Sequence, residues 1–173
     1  MSLYYRVLFS DEGTCGLAHV ASGQGVLELP EEDEVREWRS LQLSLVSGVF
    51  VDYLANDLGC RLCSDGLRRV LDSCASPSDC LQWLPVVVTR GKAQRSYFIL
   101  HFPHAADVLD KSKSLFAGDF VVKPVLSRAA AEGHKVFSFV KGGDLRFFVH
   151  DSVRGALESH KLTGALLSPA AAN

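Results

Sequence analysis

The rhythm of apolar and polar residues changes several times along the chain. "LYYRVLFS" (3–10) is dense in aromatic and β-branched residues and predicts an opening strand. "GVLEL" (25–29) alternates and predicts another short one. "PEEDEVREW" (30–38) begins with proline and gathers acids where a first helical turn favours them, so it reads as a short helix or an acidic loop. "LQLSLVSGVFVDYLA" (41–55) is a pair of apolar runs parted at Ser47-Gly48, either two strands or a hairpin.

A helical period follows. From a cap at Ser64 or Asp65 to about Cys74, residues Leu67, Val70 and Leu71 fall at i, i+3 and i+4 on one face. "CLQWLPVVVT" (80–89) and "SYFILHF" (96–102), joined by the polar "RGKAQR", predict an antiparallel hairpin. A connector (105–114) has room for one helical turn. Strands are expected at 119–127, 135–140 and, after a Gly142-Gly143 turn, 144–150. A helix over 151–160 leads into "LTGALLSP", and the final "AAAN" predicts a frayed end.

One phrase is written twice. "CSDGLRRVLDSC" (63–74) and "VHDSVRGALESH" (149–160) align without a gap, matching Asp65 with Asp151, Arg68 with Arg154, and Leu71 with Leu157. Each copy has a polar cap, an apolar face and a strand afterwards. Two equivalent helices packed on a sheet explain the pattern through burial alone. The predicted fold is therefore α+β: an antiparallel or mixed sheet with a few short helices packed on it, two of them in a repeated helix–strand pattern.

Composition narrows the class. A chain of 173 residues, 47% apolar and 22% charged, suits one globular core that buries about 70% of the unfolded surface. The net charge of −2 hides an asymmetry, since residues 1–60 carry ten Asp/Glu against three Lys/Arg and residues 61–173 carry ten against fifteen. Such a split bears on partners rather than on fold. No signal peptide and no membrane-length apolar run is visible. The five cysteines, an odd and sparse set, read as reduced thiols, so the expected location is the cytoplasm.

Candidate chemistry is thin. Cys60-x-x-Cys63 with Cys74 and Cys80 lacks the two tight pairs of a structural zinc site, and the cysteines read better as small buried hydrophobes. His101 and His104 stand three apart at a strand end and point to opposite faces, although with Asp107 they supply the elements of a small metal-dependent hydrolase or a nuclease accessory protein. "TRGKAQRSYF" (89–98) is a basic turn leading into aromatics, but a pI near 6.3 is low for neutralising phosphates. No phosphate loop, nucleophile elbow or zinc-protease motif occurs. The expectation is a protein that is not an enzyme, uses no cofactor or metal, and binds neither membrane nor nucleic acid.

Residues from Leu62 to Pro169 resemble a family of bacterial immunity proteins, immunity protein family eleven. The resemblance is carried by "SDGLRRVLDS", "WLPVVV", "YFILHF", "DVLDKSKS", "KPVLS", "KVFSF" and "FFVHDSVRGALESHKLTGALLSP", in that order and spacing. Trp83, Pro85, Asp110, Ser114 and Gly164 match its recurrent positions, which read as structural. The resemblance implies a non-catalytic α+β protein that binds and neutralises a cognate toxin delivered by neighbouring bacteria, for instance through a type VI secretion system. It divides the chain into a variable acidic part (1–60), a family core (61–169) and the tail (170–173). Within the acidic part, Glu28, Glu31, Glu32, Asp33, Glu34 and Glu37 place six carboxylates beside Trp38. A carboxylate-rich surface of this kind suits the basic cleft of a nucleic-acid-cleaving toxin, with Trp38 as an aromatic anchor.

Overall fold

The structure is a computed structural model, and it describes residues 3–20, 27–30, 32–139 and 145–173. The strands are β1 (Tyr4–Phe9), β2 (Leu17–Val20), β3 (Leu41–Ser47), β4 (Tyr53–Asn56), β5 (Leu62–Ser64), β6 (Gln82–Arg90), β7 (Ala93–His101), β8 (Leu115–Ala117), β9 (Phe120–Lys123), β10 (Val136–Phe137), β11 (Phe147–His150) and β12 (Ala165–Pro169). The helices are α1 (Asp65–Cys74), α2 (Arg128–Ala131) and α3 (Asp151–Ser159). The fold is α+β, as the sequence predicts.

Six strands close into a barrel in the order β2-β3-β6-β7-β5-β4, and four form a sheet in the order β10-β11-β1-β12. The predicted β6–β7 hairpin is present, its tight turn placing Gly91 at φ +57°. The runs at 41–55 are two strands that do not pair with each other. β3 lies between β2 and β6, while β4 lies between β2 and β5. Of the predicted strand at 25–29, Gly25 and Val26 lie outside the described residues, and 27–29 are not strand.

Both predicted helices form, and their caps show why they begin where they do. Ser64 Oγ accepts the Leu67 N–H at 3.1 Å, and His150 Nδ1 accepts the Ser152 N–H at 3.2 Å. Each helix is the crossover of a strand–helix–strand unit whose two strands flank a third, antiparallel strand: β5-α1-β6 around β7, and β11-α3-β12 around β1. The registers match residue for residue. Phe98 lies between Cys63 and Pro85, and Tyr5 lies between Val149 and Pro169.

The equivalence extends past the repeated phrase. β4 precedes β5 as β10 precedes β11, and the Ser64 N–H donates to Asp52 O at 2.7 Å as the His150 N–H donates to Lys135 O at 2.9 Å. Residues 106–109 and 124–128 stand where β2 and β3 stand. The Ala106 N–H donates to Ser138 O beside β10, Leu126 bridges in parallel to Ala172 beyond β12, and Leu109 bridges antiparallel to Leu126. The molecule is thus two related halves, one a closed barrel and the other a looser version of it that borrows β1.

The tail is not frayed. Residues 170–173 continue the edge of β12, the Ala170 N–H donating to Tyr4 O at 2.9 Å and the Asn173 N–H to Leu126 O at 3.1 Å. These backbone bonds tie down an end whose small side chains alone predict looseness.

Burial follows the same duplication. One apolar cluster fills the barrel and another, around Tyr4, Leu126, Phe137 and Phe148, fills the second half. The largest lies between the halves and draws matching residues from each: Leu100 and Val7, Cys63 and Val149, Leu67 and Val153, Leu71 and Leu157. At about 1.5–3 kcal/mol for each large side chain, this shared cluster is a principal bond between the halves. Gly164 stands at the seam with φ +81°, where a Cβ would lie 2.5 Å from Tyr53 O. Only glycine fits there. Among the described residues, no helix is long and apolar enough to cross a membrane.

Candidate partner-binding surface

The acidic stretch is neither helix nor free loop. It runs as an irregular strap over the outer ends of β6 and β7 and leads into β3. Leu27, Leu29, Val35 and Trp38 are half-buried against the barrel cluster. Their spacing is two, six and three residues, which fits no single period, so no regular element forms.

Hydrogen bonds fix the strap at three levels. The Asp33 N–H donates to Pro103 O at 2.8 Å, and the buried His101 ring donates from Nε2 to Asp33 O at 2.9 Å. Gln82 binds Val35 on both sides, accepting its N–H and donating to its carbonyl, each at 2.9 Å. The Trp38 indole N–H donates to Pro85 O at 2.9 Å. Pro85 lies just before the parallel β3–β6 pairing begins at Leu41–Val86, so its carbonyl is open to the strap. Asp33 takes φ +87°, a left-handed geometry that Asp tolerates better than most side chains.

This fastening sends the acids outward. Glu28, Glu32, Asp33, Glu34 and Glu37 are all exposed, while Glu31 lies outside the described residues. Arg36 and Arg39, also exposed, are the only cations between residues 27 and 40, so the strap presents a net negative surface. Trp38 is half-buried and its polar atom is taken by Pro85, so one edge of the indole is structural.

The other candidates do not converge. His101 is 5% exposed and turned to the strap, whereas His104 and Asp107 are exposed, and Asp107 pairs with Lys111 at 3.6 Å. Cys60 belongs to the barrel core and Cys63 to the central cluster, with Cys74 half-buried and Cys80 exposed. Burial pushes the Cys60 thiol up to about 12 and raises that of Cys63 as well. Among the described residues no three His, Cys, Asp or Glu are grouped to hold a metal ion. In the basic turn, Arg90 donates to Gly48 O and Arg95 lies 4.6 Å over the Phe50 ring.

The positions that carry the family resemblance hold loops and seams. The Trp83 indole donates to Asp72 at 2.7 Å, tying β6 to α1. Asp110 accepts from Ser112 and from Asn173, and Ser114 Oγ both accepts the Val125 N–H and donates to its carbonyl. The strand predicted at 119–127 forms only over Phe120–Lys123, as β9, and pairs with the unpredicted β8 in a hairpin whose Leu115, Phe116, Phe120 and Val122 are exposed. Its signal was the Gly118-Asp119 turn between "SLFA" and "FVVK". No model of a known protein family matches the chain, and no curated protein matches it.

Proposed function

We propose that the protein is a binding protein that occupies the basic surface of a protein partner through its acidic strap, as a cytoplasmic immunity protein does when it neutralises a toxin. The observation that carries this reading is the strap itself. Five exposed carboxylates ride on a segment fastened to rigid strands by His101, Gln82 and Pro85. A charged surface held in place before contact loses less conformational freedom on binding, and it steers encounter with an oppositely charged cleft. The resemblance to the immunity family supplies the identity of the partner, a toxin encoded beside this gene.

The test is charge reversal of Glu31, Glu32 and Glu34 to Lys, with Asp33 kept because its φ of +87° suits Asp better than Lys. The described members of this set are exposed, and the strap's bonds to Gln82 and Pro85 do not use their side chains. The variant is expected to keep the wild-type unfolding midpoint while toxin affinity, its salt dependence and cell protection all fall. A folded variant that protects as well as wild type removes the strap from the interface.

A further inference from the structure

Each half carries an insertion at the same point. Between β2 and β3 lies the strap, and between their counterparts, 106–109 and 124–128, lies the β8–β9 hairpin. The two treat their apolar residues oppositely. The strap folds Leu29, Val35 and Trp38 onto its own barrel, whereas the hairpin leaves Leu115 57%, Phe120 61% and Val122 50% exposed. Of the β9 residues, Val121 packs on the neighbouring core and the Phe120 ring meets the buried Arg146 guanidinium, 5.3 Å from its centroid, while the rest of Phe120 faces outward. Among the described residues β8 and β9 pair only with each other, with a register shift that leaves Val122 without a partner on β8, and no described residue takes the backbone N–H and C=O groups on the outer edge of β9.

We propose that this edge is a self-association surface, on which β9 pairs antiparallel with β9 of a second copy about a twofold axis at Val121. The sequence "DFVVK" (119–123) selects that occupant, because it is complementary to itself when reversed. With Val121 facing its own counterpart, Asp119 faces Lys123 and Phe120 faces Val122, and symmetry makes each pair occur twice. Opposite charges and aromatic–β-branched pairs are the cross-strand pairs that stabilise antiparallel strands. Parallel pairing in register would set Asp119 against Asp119 and Lys123 against Lys123. Both charged residues are exposed, and neither forms an ion pair among the described residues. The product is a continuous four-stranded sheet in which Phe120 of each copy packs beside Val122 of the other.

Sedimentation over a concentration series tests this with four proteins: wild type, Asp119→Lys, Lys123→Asp and the double exchange. Wild type is expected to dimerise, each single reversal to weaken the dimer by about tenfold or more, and the double exchange to restore it. Phe120→Ser is expected to abolish it. Loss of a dimer itself lowers the unfolding midpoint, so circular dichroism spectra matching wild type confirm that every variant is folded. A wild type that stays monomeric throughout overturns the proposal, as does a double exchange no better than its parents. Hairpin variants that dimerise normally but lose toxin protection also overturn it, and assign the hairpin to the toxin. Strap and hairpin belong to different halves, so strap reversal is expected to leave self-association unchanged.

Discussion

Arg154 lays its guanidinium over the ring of Tyr5, 5.1 Å from the centroid, while its Nε donates to Asp151 at 2.8 Å and its Nη1 to Glu158 at 2.9 Å. In the other half Arg68 lies 4.7 Å over Phe98, donates to Asp65 at 2.8 Å and reaches Asp72 at 3.6 Å. Each arginine thus clasps its helix to the middle strand of its own sheet. Replacing either by Ala is expected to lower the urea midpoint modestly without changing the slope. Lys restores the charge but not the planar stack, so its rescue is partial.

The hydrogen bond from Arg154 is the largest cause holding the Asp151 carboxyl below its ordinary value, and that from Arg68 does the same for Asp65. A carboxylate depressed in the folded state contributes stability above its unfolded pKa, near 3.9, and loses it as pH falls through the folded value. The gap between wild type and Arg154→Ala is therefore expected to narrow below about pH 4. It does not close, because the stacking of Arg154 on the Tyr5 ring involves no carboxylate. Urea unfolding across that range checks both statements.

Leu71 and Leu157 occupy matching places on the two helices, 0% and 6% exposed, and meet in one cluster. Leu71→Ala and Leu157→Ala are each expected to cost about 2–5 kcal/mol, the usual penalty for emptying a well-packed leucine site. Because both open the same cluster, the double variant is expected to depart from additivity. Chemical denaturation of the three variants measures this. Two costs that simply add would show that the sites do not feel each other.

Thiol reactivity separates the cysteines by burial. Alkylation at pH 8 followed by mass spectrometry is expected to modify the exposed Cys80 first. Cys60 and Cys63 are held protonated by burial, so they react only as fast as the protein opens. Early labelling of either would place it at the surface.

The parts of the fold legible in the sequence are those fixed by local chemistry. The Ser64 cap, the face made by Leu67, Val70 and Leu71, and the hairpin around Gly91 are each written in a few consecutive residues. Barrel closure is not local. That β3 runs parallel to β6 follows from how two apolar strands meet across the chain, which their own period does not encode. The repeat was legible only as far as its ungapped helix. Its continuation in "LYYRVLF" and "SYFILHF" is hidden in the order of the chain, because one copy precedes its helix by more than 140 residues and the other follows its helix. The strap's exposed carboxylates were legible as charge, but its fastening by Gln82, Pro85 and His101 was not, since those partners lie more than forty residues away in sequence.

The borrowed strand sets an order of events during synthesis. β1 leaves the ribosome before β2 to β10, yet its neighbours β11 and β12 are made after all of them. The barrel half, with all its strands between Leu17 and His101, can close as a continuous stretch while the rest is still being translated. Through that interval Tyr4, Val7 and their apolar face have no sheet to enter. The nascent chain therefore displays a sticky strand until β11 and β12 emerge to cover it.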